Sequence, residues 1–326
     1  MNVLISIQQP VRAWQIPPQS VETIRQRFPD LRFTHATDDV SRAKALVDCD
    51  VAFTWLMNEA ELATCTRLKW VHTSAVAVET FCLPELVARQ VIVSNSRGVQ
   101  SAPIAEHVFA VLLALAKRLP YVVEQQRERH WAQNEMLGDR LPWLIKGKTL
   151  GLIGAGTIGS EIARLAAAFG MKVVAITRRP RANGVDDIEW MKPGGLNDLL
   201  HRSDVVVIAA PLTPETLNMI GAGEMARMKR GAVLINVGRA RIVDHVALSG
   251  ALRSGHLGGA SLDVFHREPL PADDPLWAAP NLILTPHTSG FRQGHWDDVI
   301  ELFCENLRRF QRGEPVQFRV EPELGY

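Results

Sequence analysis

The sequence is poor in the features that mark several protein classes. Its 4 cysteines, Cys49, Cys65, Cys82 and Cys304, lie far apart with no Cys-x-x-Cys pair. That spacing argues against a zinc site and fits reduced, packing thiols in a cytosolic compartment. No HExxH or comparable ligand spacing occurs, so no metal is expected. A charge bias is missing too: 36 basic residues face 35 acidic ones, for a net charge of +1, and no long basic run is present. Nothing in that balance attracts nucleic acid or an anionic membrane. The most apolar stretch, Val108 to Ala116, is too short to span a bilayer. The opening MNVLISIQQP lacks the basic segment and long apolar run of a secretory signal. The expectation is a cytoplasmic, soluble protein with no nucleic-acid or membrane partner.

What is present is ordinary globular chemistry, 47% hydrophobic and 22% charged over 326 residues, enough for about two domains with full cores. The first hundred residues alternate short apolar, β-rich runs (Val3 to Ile7, Val51 to Trp55, Trp70 to Thr73, Val91 to Ser94) with helix-like stretches such as Ser20 to Phe28. That alternation predicts βαβ units and a parallel sheet. Residues 101 to 130 follow as one long, mostly apolar helix, in which Pro120 threatens a kink or break. So apolar a helix must be buried in a core or against another subunit. A second series supplies six candidate strands: Thr149 to Ile153, Lys172 to Ile176, Asp204 to Ala209, Ala232 to Asn236, Gly259 to Val264 and Leu282 to Leu284. Six strands with crossovers of this length suit a doubly wound sheet. The tail carries an amphipathic segment, Asp297 to Phe310.

The segment LGLIGAGTIG holds Gly154-x-Gly156-x-x-Gly159 between an apolar run and the helix-like SEIARLAAAF, and Gly170 stands where a helix C-cap belongs. In that context Gly154 permits a tight turn, Gly156 lets the backbone approach a pyrophosphate, and Gly159 lets helix and strand pack closely, with the phosphates on the helix N-terminus. About twenty residues further on, an NAD site usually offers a carboxylate to the ribose 2′-hydroxyl. Here the chain reads Thr177-Arg178-Arg179, and the first acidic residue is Asp186. Two guanidiniums and a hydroxyl suit a 2′-phosphate, so NADP(H) is expected ahead of NAD(H).

Three later strands each deliver polar groups to the carboxyl edge, where ligands of open α/β sheets sit: Arg239 in INVGRA, Asp263 and Glu268 in SLDVFHREPL, and His287 in LILTPHTSG. Hydride attack on a 2-oxo acid builds negative charge on the carbonyl oxygen, which calls for a proton donor and a cation. His287 and Arg239 are the right types, and a carboxylate such as Glu268 keeps an imidazole protonated and oriented. Asp263 could accept from a nicotinamide carboxamide. For each residue taken singly, a surface salt bridge or a strand-end cap explains it as well.

The chain resembles the D-isomer-specific 2-hydroxyacid dehydrogenases over nearly its whole length, through LGLIGAGTIG, AAPLTPETLNMI, INVGRA, LDVFHREPL and TPHTSG. The resemblance implies two Rossmann-like or flavodoxin-like, doubly wound parallel-sheet α/β domains with the active site in the cleft between them. Residues 1–99 plus 290–326 would form the substrate-binding domain and 100–289 the dinucleotide-binding domain. Arg239, Glu268 and His287 would be the catalytic trio. Cofactor contacts would come from Gly154, Gly156, Thr157, Ile158, Gly159, Thr177, Arg178, Arg179, Ala210, Pro211, Thr216, Val237, Gly238, Asp263, Ser289 and Gly290. The loop SAVAVE would hold the substrate at Ala75, Val76 and Ala77, together with Arg239 and His287. It departs from the family's usual Ala-Gly-Val-Asp, since Ala77 replaces glycine and adds a methyl group that restricts backbone torsions. Ala240 is a milder departure. A homodimer through the helix at 101 to 130 is implied, with Trp131 reaching a neighbouring active site or simply packing.

The resulting reading is an NAD(P)-dependent reductase of a small 2-oxo acid, glyoxylate or hydroxypyruvate for instance, giving the D-2-hydroxy acid with His287 as acid/base. The alternatives are a 3-phosphoglycerate dehydrogenase-type activity and a dinucleotide-sensing, corepressor-like interaction protein. His72, His107, His130 and His266 are read as structural, His107 as a core or interface histidine within the apolar helix.

Overall fold

The computed structural model describes residues 1–178 and 188–321, apart from the side chain of Asp139. The chain divides into two compact units, Met1–Gln100 with Phe291–Tyr326, and Ser101–Gly290.

The first unit is built on five parallel strands: β1 (Asn2–Ser6), β2 (Arg32–His35), β3 (Val51–Thr54), β4 (Trp70–Thr73) and β5 (Ile92–Asn95). Their order is β2-β1-β3-β4-β5, the flavodoxin-like winding. Helices α1 (Pro18–Arg27), α2 (Asp39–Leu46), α3 (Glu59–Thr64) and α4 (Leu83–Ala88) connect them. The cap chemistry is local: Asp38 accepts from the Ser41 N–H at the start of α2, and Asn58 with Glu61 forms a reciprocal capping box on α3. The C-terminal helix, His295–Gln311, completes this unit. It buries Val299, Ile300, Phe303, Cys304 and Leu307, and Phe303 stacks on Phe53 at 4.2 Å and on Trp70 at 5.6 Å.

The second unit carries seven parallel strands: β6 (Thr149–Ile153), β7 (Lys172–Ile176), β8 (Ile188–Met191), β9 (Val205–Ile208), β10 (Val233–Asn236), β11 (Gly259–Leu262) and β12 (Leu282–Leu284). The order β12-β11-β10-β9-β6-β7-β8 places the reversal of winding between β6 and β9. One face of this sheet is covered by α5 (Ser101–Ala116) and α7 (Thr157–Ala168), through Val108, Leu112, Ile162 and Ala166. The opposite face is covered by α8 (Leu196–Arg202), α9 (Ala222–Arg227) and α10 (His245–Arg253), through Leu199, Met225, Leu248 and Leu252.

Two expectations need correction. The six-strand count misses β8 in the second unit, and β2 is missed in the first. Both are edge strands whose residues are largely partly exposed or exposed, so they lack the continuous apolar run of a strand buried on both faces. The helix at 101–130 is two helices, α5 and α6 (Leu119–Arg127), with Arg118 at φ +57° between them. Pro120 lacks an N–H and its ring would strike the carbonyl of Ala116. That carbonyl instead accepts the Trp143 N–H at 3.0 Å, while Lys117 Nζ donates to the Trp143 carbonyl at 3.2 Å. Among the described residues, no helix is long and apolar enough to cross a membrane.

Candidate active site

The glycine fingerprint forms the turn from β6 into α7. Gly154 takes φ +92°, and a Cβ there would lie 2.7 Å from the Ala210 backbone. A Cβ on Gly159 would fall 2.2 Å from the Gly154 carbonyl oxygen, so helix and turn touch through hydrogen alone. Gly156 is the N-cap of α7, and a Cβ there would meet nothing within 4 Å. The twelve-residue helix thus opens onto empty space through a residue with no side chain, which fits a dinucleotide pyrophosphate resting on the N–H groups that begin at Thr157 and Ile158. Gly238, after β10, also lacks room for a Cβ, which would lie 2.7 Å from the Ala210 carbonyl. The ends of β6, β9 and β10 therefore meet around Ala210, at the reversal of winding. Beyond it, Thr216 Oγ1 donates to the Pro211 carbonyl at 2.8 Å and accepts the Thr213 N–H at 2.8 Å, closing the PLTPET turn. Past β7, Thr177 donates its N–H to Met191, and Arg178 pairs with Glu215 at 2.8 Å on the surface. Arg179 and Asp186 lie outside the described residues.

The next three strand ends carry the expected polar groups. Buried Asn236 winds the turn after β10, accepting the Gly238 N–H and donating to the Arg239 carbonyl, both at 3.0 Å. Val237 and Gly238 are buried in that turn. Arg239 follows half-buried, with Nη1 donating to the Gly238 carbonyl at 3.0 Å. Asp263, 1% exposed at the end of β11, accepts the Thr288 N–H at 2.9 Å and the Ser289 N–H at 3.2 and 3.1 Å on its two oxygens. Glu268 Oε1 accepts the Phe265 N–H at 2.9 Å, and its Oε2 lies 2.7 Å from His287 Nδ1. His287 adopts φ +55°.

These groups tune one another. The hydrogen bond to Glu268 raises the His287 pKa above the ordinary imidazole value, against partial burial and the nearby Arg239 charge. Burial alone would push Glu268 up, but the His287 bond, the Phe265 N–H and the charges of His287 and Arg239 hold it below the usual carboxylate range. The pair is thus biased towards imidazolium and carboxylate, with Nε2 of the ring turned away from Glu268.

The other histidines divide. His72 is fully buried between Ser94 and Ser96, and burial pushes it down to about 3, as suits a neutral core residue. His266 stacks on His245 at 4.2 Å, with Nε2 against the Ala240 and Val243 carbonyls. His130 pairs with Glu135 at 2.9 Å. His107 reaches Thr285, a contact the sequence reading missed. In the first unit, Asn95 Nδ2 holds the Val76 carbonyl at 2.7 Å and the Ser96 N–H the Ala75 carbonyl at 3.0 Å. Ala77 is absent from the residues with positive φ, so the loop does not require glycine there, and the expected torsional restriction costs nothing. Among the described residues, no cluster of three or more metal-ligating side chains occurs.

The sequence profile described as D-isomer specific 2-hydroxyacid dehydrogenase, NAD binding domain, matches residues 109–289. The chain belongs to the D-isomer specific 2-hydroxyacid dehydrogenases. It is 35% identical over 324 residues to the glyoxylate reductase of Korarchaeum cryptofilum, covering 95% of each chain. Among solved structures it is similar to a family member from Aeromonas salmonicida, with 33% identity, a TM-score of 0.82 and coverage of 98% and 99% of the two chains. The NADPH-dependent glyoxylate/hydroxypyruvate reductase of Sinorhizobium meliloti, solved with NADP and sulfate, matches at 25% identity and a TM-score of 0.81, with coverage of 100% of this chain and 99% of that one. As a 2-hydroxyacid dehydrogenase the protein is an oxidoreductase that binds a nicotinamide dinucleotide and acts on small 2-oxo or 2-hydroxy acids. Sequence reasoning missed Asn236 and Thr285. The first had a local signal, an Asn two residues before glycine at a strand end, whereas the second is set by partners far away in the chain.

Proposed function

We propose that this dehydrogenase reduces a small 2-oxo acid of the glyoxylate or hydroxypyruvate type to the D-2-hydroxy acid, with NADPH preferred. The observation that carries the reading is the 2.7 Å pair of His287 and Glu268 at the sheet edge, within the field of Arg239. The names carried by similar proteins, glyoxylate reductase and glyoxylate/hydroxypyruvate reductase, point to the same substrates.

In the mechanism we infer, the reduced nicotinamide, when bound, supplies the hydride. Gly154, Gly156, Gly159 and the first N–H groups of α7 would hold the pyrophosphate, with Ala210, Pro211, Thr216, Val237 and Gly238 beside it, and Asp263, Ser289 and Gly290 would serve the nicotinamide end. Arg239 binds the substrate carboxylate and carbonyl oxygen, countering charge that builds there. Its fork geometry suits two oxygens at once. His287 Nε2 delivers its proton to that oxygen, and Glu268, bonded to Nδ1, stabilises the imidazolium beforehand and orients the ring. In the opposite direction neutral Nε2 removes the hydroxyl proton. The family resemblance assigns the substrate carboxylate also to the loop at Ala75, Val76 and Ala77.

The preference for NADPH rests on Thr177, Arg178 and Arg179. The exposed Arg178–Glu215 pair is a weak surface interaction, and a 2′-phosphate, with more charge and three acceptor oxygens, outcompetes one carboxylate for the guanidinium. We also propose a homodimer. Leu119, Val122 and Val123 of α6 are exposed, and Trp131 is 86% exposed, an apolar surface suited to a second copy.

The deciding experiment follows NADPH and NADH oxidation at 340 nm with glyoxylate, hydroxypyruvate, pyruvate, phenylpyruvate and 3-phosphohydroxypyruvate. Turnover of the first two with NADPH is expected. Turnover confined to 3-phosphohydroxypyruvate, or none at all, would sink the substrate assignment, and a clear preference for NADH would sink the cofactor assignment. Sedimentation velocity tests the dimer, which a monomer at micromolar concentration refutes.

A further inference from the structure

We propose that His107 is a positioning residue: through Thr285 it completes a clamp on Asp263 that fixes the segment carrying His287. The catalytic meaning of the clamp rests on the reading of His287 as acid/base, but its structural part does not.

His287 stands in the left-handed region at φ +55°, which side chains other than glycine disfavour. Its own N–H turns back to the Thr285 carbonyl at 2.8 Å. Such a conformation persists where surrounding contacts over-determine it, and here the contacts bracket the residue. Before it, Thr285 Oγ1 donates to Asp263 Oδ1 at 2.6 Å. After it, the N–H groups of Thr288 and Ser289 donate to the same carboxylate. Asp263 is buried, so these donors replace the water it has lost.

The hydroxyl of Thr285 has one proton, and a carboxylate only accepts, so that proton is committed to Asp263. The contact of Thr285 Oγ1 with His107 Nε2, at 3.3 Å, therefore has the ring N–H as donor and the threonine oxygen as acceptor. This fixes the tautomer of His107. Partial burial lowers its pKa against the pull of Asp263, so the ring carries one proton, on Nε2. His107 projects from α5, whose neighbours Val108, Phe109 and Leu112 are buried and apolar. His107 itself is only partly buried, between that apolar face and the exposed Glu106 and Ala110, so packing does not dictate an imidazole there. The relay from His107 through Thr285 to Asp263 does, because it ties the loop to a rigid helix rather than only to another strand end.

The test compares four variants of the full chain. Thr285→Val keeps the volume, His107→Phe keeps an aromatic ring, and both remove the hydrogen bond. Thr285→Ser and His107→Gln keep a hydroxyl and an N–H donor. Hydrogen exchange of the Thr288 and Ser289 amides reads the clamp directly, with no substrate or cofactor present. Both amides should be protected in the wild type, Thr285→Ser and His107→Gln, and exchange on the order of tenfold faster in Thr285→Val and His107→Phe. In parallel, kcat for 2-oxo acid reduction should fall on the order of tenfold to a hundredfold in the two apolar variants with KM little changed, and return in the two conservative ones. Unchanged protection in Thr285→Val and His107→Phe overturns the proposal, as does equal loss in all four variants, which would mark simple packing. Should His107→Phe fail to fold, His107→Leu, which also removes the ring donor, takes its place, and unchanged protection there overturns the proposal. A wild type that protects these amides and loses the protection in Thr285→Val, yet reduces no 2-oxo acid, would leave the clamp standing and remove the proposed function.

Discussion

Two strand ends of the second unit make tight turns by opposite means. At the end of β6 the turn is made by leaving side chains out: Gly154 sits at φ +92° against the Ala210 backbone, and Gly159 rests on the Gly154 carbonyl. At the end of β12 a large side chain is kept in a left-handed conformation, and His287 is secured by donors to a carboxylate from the neighbouring strand. The first solution is written in the six consecutive residues Gly154 to Gly159 and asks of its surroundings only the close approach of the Ala210 backbone. The second depends on Asp263, more than twenty residues earlier, and on Glu268. The glycine turn accommodates a ligand by shape, whereas the histidine turn must also hold a charge.

The comparison breaks most sharply if the side chain kept at β12 proves dispensable. His287→Ala should lower kcat for 2-oxo acid reduction by about 10² to 10⁴ while the NADPH dissociation constant, read by fluorescence titration, stays nearly unchanged. Retained turnover would leave the histidine turn without a purpose. The converse substitution adds a side chain where none fits. Gly154→Ala places a methyl 2.7 Å from backbone atoms at φ +92°, and the left-handed strain alone costs about 1 to 2 kcal/mol. A lower melting temperature and weaker NADPH binding are expected, whereas Gly156→Ala, with nothing within 4 Å, should melt like the wild type and lose only cofactor affinity. Equal melting of Gly154→Ala and the wild type would refute the close-packed account of the turn.

A smaller effect sharpens the role of charge at β12. Because Glu268 raises the His287 pKa, and reduction uses the imidazolium, kcat/KM for reduction should be high at low pH and fall as pH rises through that raised value. In Glu268→Gln the fall should begin at lower pH, nearer the ordinary imidazole value of about 6.5. An unmoved limb would show that another group titrates. The smallest effect concerns the end of β7, where neither device operates and Arg178 is held by Glu215. Glu215→Gln should tighten NADPH a few-fold and leave NADH unchanged, since the solvent-screened pair it removes is weak. Equal shifts for both cofactors would place the 2′-phosphate elsewhere.

This contrast also explains what could be read from the sequence. The strands buried on both faces were legible because they are continuous apolar runs, and the glycine turn because its constraints are local. The edge strands β2 and β8 were not, since partial exposure leaves residues such as Arg32, Thr34 and Glu189 inside them. Pro120 signalled a break, but that the chain would restart at Leu119 depended on Trp143 filling the vacated carbonyl of Ala116, a partner no local pattern reveals. At the candidate site, residue types at strand ends indicated Arg239, Glu268 and His287. The bonds from Thr285 and Asn236 that shape those turns became visible only once the strands were in register. Ala77 shows the reverse case, a residue conspicuous in the sequence whose backbone is unremarkable.

The stacking of Phe303 on Phe53 and Trp70 sets an order of events during synthesis. The sheet that begins at Asn2 is finished only by a helix that begins at His295, so the ribosome must make the whole of the second unit before the first can close. The usual sequence, in which N-terminal domains fold first as they emerge, is therefore inverted. Until His295–Gln311 emerges, the rings of Phe53 and Trp70 lack the helix that covers them.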